Sequence, residues 1–159
     1  MRVPKWVLAG ISAVPLMALA DDSVRMKPGR WQETPTITSV LRNGVPVPAE
    51  AFRNTQDKLR FSCISPAEAT NPTLYFMEHT PGDNCSTPEG SVAGGRIAMH
   101  AQCKLKTTSA PATISVEGAY SEQGYHTVIK ALATFNGTPM EINFNVDGKF
   151  VGPCKGDEE

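Results

Sequence analysis

Residues 114–146 read ISVEGAYSEQGYHTVIKALATFNGTPMEINFNV, and their pattern decides the fold. Ile114, Val116, Gly118 and Tyr120 alternate with Ser115, Glu117 and Ala119, and Met140, Ile142, Phe144 and Val146 alternate with Glu141, Asn143 and Asn145. A period of two is that of a strand with one buried face. Asn136-Gly137 is a two-residue hairpin signal. Closing it there pairs Phe135 with Thr138, so Ala133 faces Met140, Ala131 faces Ile142 and Ile129 faces Phe144. A four-residue loop over 121–124 pairs Tyr120 with Tyr125 and sets Val116 opposite Ile129. Every pairing gathers apolar residues on one face. A slip of one residue would scatter them, so the register is strongly specified.

The same reading extends outward. Ile97, Met99, Ala101, Cys103 and Leu105 form another alternating run, and a loop over 107–112 sets Cys103 opposite Val116. Asp147-Gly148 reads as a second tight turn, placing Val151 opposite Phe144. Upstream, 30–41 reads as a strand interrupted by Pro35, 42–56 as a loop and 58–64 as a strand. Ser65-Pro66-Ala67-Glu68 has the form of a helix start, with Ser at the cap, Pro at the first position and Glu three residues on. Pro72 limits that helix to a turn or two. The expected fold is all-β with one short helix: an antiparallel up-and-down meander of about seven or eight strands, a curled or barrel-like sheet. Small residues on its inner face (Ala101, Gly118, Ala131, Ala133) leave room for a cover or a ligand.

The first twenty residues read as a secretory leader. Arg2 and Lys5 precede a short apolar run, and Ala18-Leu19-Ala20 is a small-residue cleavage site before Asp21. Residues 21–154 then form one β-rich domain, and 155–159 a flexible tail. Removing the leader leaves 13 basic against 16 acidic residues, a net charge of about −3. That balance argues against nucleic acid as a partner. The mature part holds no second apolar run able to span a membrane.

Cys63, Cys85, Cys103 and Cys154 are spaced by 22, 18 and 51 residues, without a Cys-x-x-Cys pair. In an exported chain this reads as two disulfides rather than a metal site. In the meander all four cysteines lie near one end of the sheet. A loop over 93–95 sets Cys85 opposite Cys103 and leaves Cys63 with Cys154. Cys63 with Cys85 and Cys103 with Cys154 is the rival pairing.

No catalytic, phosphate-binding or metal motif is present, so no cofactor or metal is expected and the chain is read as a non-enzyme. The register puts His100, Ala119, His126 and Asp147 in one row on the outer face, with His126 beside Asp147. The row has the residue types of a surface metal site or of a His–Asp acid–base pair, but His and Asp are common on a solvated face. Val128, Leu132 and Phe150 fall on that outer face too. They read as covered by the chain's own loops or as a contact patch.

Met26-Lys27-Pro28-Gly29-Arg30-Trp31-Gln32-Glu33 resembles the "KPGLWE" opening of a bacterial family of secreted proteins, the domain of unknown function numbered 3617. Cys63-Ile64-Ser65-Pro66-Ala67-Glu68-Ala69 is similar to its "C-x-[ST]-P-E-x-A" segment, and Gly152-Pro153-Cys154 falls where its last cysteine does. Arg30 and Gln32 depart from the more usual Leu and Glu. The resemblance implies export in Gram-negative bacteria, a β-rich domain and no established activity.

The functional expectation is a periplasmic (alternatively secreted) binding module holding a small apolar ligand between the sheet and its cover. The alternative is a protein–protein interaction through the Val128/Leu132/Phe150 face.

Overall fold

The structure, a computed structural model, describes residues 24–52, 59–79, 85–104 and 110–158. The leader read over 1–20 lies outside these. Eight strands, two short α-helices and one 3-10 turn (Ala49–Ala51) occur among the described residues: β1 (Gly29–Arg42), β2 (Val45–Pro46), β3 (Arg60–Ile64), α1 (Pro66–Thr70), α2 (Pro72–Glu78), β4 (Glu89–Ala93), β5 (Arg96–Cys103), β6 (Ala112–Tyr120), β7 (Gly124–Phe135) and β8 (Thr138–Gly152). They form one antiparallel sheet in the order β2-β1-β8-β7-β6-β5-β4, with β3 sharing with β2 the edge of β1 that faces away from β8. The sheet is open and does not close into a barrel.

The central registers follow from the alternation. Phe135 pairs with Thr138, Ala131 with Ile142, Ile129 with Phe144, Tyr120 with Tyr125 and Val116 with Ile129. The expected register between β5 and β6 differs. Cys103 pairs with Ala112, and Val116 with Met99. The offset of four residues is even, so the same side chains stay inside. The β4–β5 turn is Gly94-Gly95, one residue shorter than expected, with both glycines at positive φ.

Asp147-Gly148 is no turn at all. β8 runs straight through it, with Asp147 beside His126 and Gly148 beside Tyr125. A turn signal yields when both edges of the chain find strand partners, and β8 is flanked by β7 and β1 over its length.

Pro35 does not interrupt β1. Beyond Glu33 the second edge of β1 has no strand partner among the described residues until the hairpin to β2 near Val40, so a missing N–H at Pro35 costs nothing on that side. The loop after β1 instead opens with Asn43-Gly44, both at positive φ, as a tight hairpin to β2.

The capping box closes as the sequence implies. The Ser65 hydroxyl accepts from Glu68 N–H at 3.3 Å, and the Glu68 carboxylate accepts from Ser65 N–H at 2.7 Å. Pro72 ends α1 but starts α2, because proline suits the first helical position as well as it suits a stop. α2 buries Pro72, Tyr75 and Phe76 against the inner face of the sheet. Phe76 and Tyr75 pack edge-on to Tyr125, whose other side stacks on Trp31 at 5.8 Å. The aromatic core therefore sits at one end of the sheet.

The disulfides are Cys63–Cys154 and Cys85–Cys103. The first ties the C-terminus to β3. Residues 155–158 do not hang free. Arg30 Nε lies 3.4 Å from Glu158 and Arg30 Nη2 lies 3.4 Å from Asp157, while the guanidinium covers the Phe61 ring at 4.0 Å.

Candidate functional site

Two features of the inner face merit comparison as sites. The first is polar and lies under the aromatic core. Glu33, buried on β1, accepts at Oε1 from Ser62 Oγ of β3 at 3.0 Å and from Tyr125 OH of β7 at 2.6 Å, and also from Tyr75 OH of α2. Three hydroxyl donors on one carboxylate oxygen leave little for a substrate to contact. Burial, with the Glu33 carboxylate, pushes Tyr75 and Tyr125 far above the usual tyrosine value of 10.0, and Tyr75 adds to the rise at Tyr125. Neither phenol can act as a base near neutral pH. The adjoining cavity is about 70 Å³. That is room for water and well below the several hundred Å³ of an organic-ligand pocket. The cluster fastens β1, β3, β7 and α2 together.

The second feature lies at the opposite end of the same face, beyond the reach of α2. Here Ile37 and Val40 of β1, Met140 and Ile142 of β8, and Phe135 of β7 meet Val47 and Phe52 of the segment after β2. They enclose a pocket of about 510 Å³, within the range of small-molecule sites. Val40 is buried, while Ile37, Met140, Ile142 and Phe135 are half-buried, as expected of apolar walls without a complete cover. The small inner-face residues foretold space, but this space opens beside larger ones. Ala101 and Ala131 are buried in the same cross-strand row as the pocket walls Ile142 and Val40, farther across the sheet.

The outer face brings together fewer of the expected residues. His126 Nδ1 lies 2.7 Å from Asp147 Oδ1, side by side, and both side chains are at least half exposed. His100 is not in their row. The four-residue register offset moves it opposite Ser115, where it meets Glu89 at 3.1 Å, and Arg96 takes its place beside Ala119. Among the described residues, no group of three or more His, Cys, Asp or Glu is placed to hold a metal ion.

Val128 and Leu132 stay exposed on the outer face. Phe150 does not join them. Because β8 passes through Gly148 unbroken, the pleat carries Phe150 to the inner side. There it packs edge-on against Trp31 at 6.1 Å, with Lys27 over its ring. The expected patch thus loses its aromatic member. What remains is Val128 and Leu132 with Lys130 between them, which Glu141 pairs at 3.0 Å.

Sequence reading missed Glu33 and the pocket residues for different reasons. Glu33 is one of several glutamates without a local signature, and only the fold assembles its three donors. Of the pocket residues, Ile37, Val40, Met140 and Ile142 lie on strands legible in the sequence, whereas Val47 and Phe52 fall in the Pro- and Asn-containing stretch 42–56 that reads as loop.

Among the described residues, no helix is long and apolar enough to cross a membrane. No curated protein and no solved structure matches the chain. Residues 26–154 match the family described as "Protein of unknown function (DUF3617)". That span runs from the start of the first strand's approach to the last cysteine, and the chain belongs to this family, the DUF3617 proteins of unknown function.

Proposed function

We propose that this protein is a non-enzymatic binding module that holds a small apolar ligand between the sheet and the segment following β2. The observation that carries the reading is the pocket of about 510 Å³ walled by Ile37, Val40, Phe52, Met140 and Ile142. Apolar walls left half-open in water gain free energy when a ligand displaces that water, by about 25 cal/mol per Å² buried. An enzymatic reading has weaker support. His126 and Asp147 stand on an exposed face without a concave wall, and the two buried phenols hold their protons. Two disulfides suit an oxidising compartment, so we place the protein in the periplasm or outside the cell.

The test is a titration of the mature, disulfide-intact protein with an apolar fluorescent probe, N-phenyl-1-naphthylamine, followed by native mass spectrometry. One-to-one binding, abolished by Ala51→Trp, is the expected result. Ala51 borders the pocket on its exposed side, so an indole there fills the space without disturbing the core. Absence of binding, or binding indifferent to that substitution, would sink the reading.

A further inference from the structure

The pocket is apolar along its body and polar at one end, and an irregularity of the backbone builds that end. β1 pairs with β8 in one register through Pro35–Val146 and Ile37–Phe144, and in another through Ser39–Asn143, Val40–Ile142 and Arg42–Met140. The extra residue is Thr38, whose hydroxyl donates to the Asn143 carbonyl at 3.0 Å. A one-residue bulge reverses the pleat of everything after it. Without it, Ser39 and Leu41 would continue the inner face begun by Glu33, Pro35 and Ile37. Arg42 would then face outward. With it, Val40 and Arg42 turn inward instead.

Arg42 lines the pocket together with Asn136 and Thr138. These three belong to one corner. Arg42 pairs with Met140, two residues from Thr138, and Asn136 opens the β7–β8 turn. A guanidinium, an amide and a hydroxyl therefore converge where the apolar walls end. Among the described residues, Arg42 has no ion pair and no side-chain hydrogen bond. Arg42 is exposed at the rim of the apolar walls, and a cation there without a counter-charge among the described residues suits a ligand that brings its own. The planar fork of a guanidinium matches carboxylate and phosphate oxygens in pairs.

We propose that the pocket takes a single-chain amphiphile with an anionic head, a carboxylate or a phosphate ester, its chain lying on Ile37, Val40 and Ile142 and its head on Arg42. This rests on the reading of the pocket as a ligand site. It goes further in naming the head group and the direction in which the ligand enters, tail first.

The experiment uses the mature, disulfide-intact protein and twelve-carbon ligands below their micellar concentrations. The set is dodecanoate, dodecyl phosphate, dodecanol, dodecyltrimethylammonium and lauroyl lysophosphatidylglycerol, each read by displacement of N-phenyl-1-naphthylamine. Because a hydrogen bond to a charged group is worth more than a neutral one, the anions should bind roughly tenfold or more tightly than dodecanol. Arg42→Gln should bring the anions down to the alcohol's affinity and leave the alcohol unchanged, while Arg42→Lys keeps part of the preference. Leu41→Arg with Arg42→Leu preserves composition and moves the charge to the outer face, and should also abolish the preference. Dodecanoate against the lysolipid tells a free amphiphile from a membrane-derived one. Equal affinity for every head group, or an anion preference that survives in both Arg42-less proteins, overturns the head-group assignment and leaves the pocket reading standing. Failure of all five ligands to bind removes both.

Discussion

The ring of Tyr125 occupies the space where a side chain on Gly148 would begin. A Cβ built on Gly148 would lie 2.0 Å from Tyr125 Cε1 and 2.3 Å from its Cζ. The glycine that resembles a turn signal is instead a gap in a continuous strand. Its emptiness lets the Tyr125 hydroxyl reach Glu33.

Gly148→Ala should therefore act through Tyr125. The ring must swing away, losing its bond to Glu33 and its stacking on Trp31. A loss of about 2–4 kcal/mol is expected from overpacking together with one donor lost from a buried carboxylate. Urea unfolding measures it. In a Tyr125→Ala background the same substitution should cost much less. Equal costs in both backgrounds would show that the glycine matters for another reason.

The two buried phenols predict an alkaline limit. Their raised pKa means that the folded state keeps protons which the unfolded chain loses above about pH 10. Stability from this source is fully present below pH 10 and falls as pH rises beyond it. Absorbance at 295 nm should show two of the three tyrosines ionising only as the near-ultraviolet circular dichroism collapses. Three phenols titrating together near pH 10 in a still-folded protein would contradict the cluster.

The disulfides should contribute unequally. Cys63–Cys154 closes 91 residues and Cys85–Cys103 closes 18. Chain entropy assigns about 4.6 kcal/mol to the first and about 3.2 kcal/mol to the second. The paired serine substitution at 63 and 154 should lower the denaturation midpoint more than that at 85 and 103. The reverse order would mean that local packing outweighs loop closure.

The C-terminal turn predicts an acid limb. The backbone N–H of Lys155, with that of Gly156 and the Arg30 guanidinium, holds the Glu158 carboxyl below its ordinary 4.5. A lowered pKa contributes stability above pH 4.5 that is lost as pH falls through the folded value. Glu158→Gln should flatten that part of the stability curve. Arg30→Leu should be neutral or stabilising at pH 7, since a buried ion pair is readily matched by an apolar side chain. A strongly destabilised Arg30→Leu protein would assign the guanidinium a larger share in holding the C-terminus.

The meander was legible because two turns and three alternating runs agreed on one register. Period-two burial is a local property, and hydrophobic burial enforces it across neighbours. The same logic explains why the four-residue error between β5 and β6 did no harm to the face assignments. It did mislead about His100, because a row across a sheet depends on the register itself and not on its parity. Glu33 shows the limit from the other side. Its donors, Ser62, Tyr75 and Tyr125, stand 29, 42 and 92 residues away along the chain.

Composition, alternation and cysteine count were enough for an open question with firm bounds: a disulfide-stapled antiparallel β domain, apolar on one side, with a capped short helix. These follow from local periodicity and from an even count of cysteines. Whether Asp147-Gly148 turned or ran straight, and whether Leu41 or Arg42 entered the pocket, depended on β1 arriving beside β8. A strand's two faces are equivalent until a neighbour imposes its register, and a bulge such as Thr38 exists only between two strands.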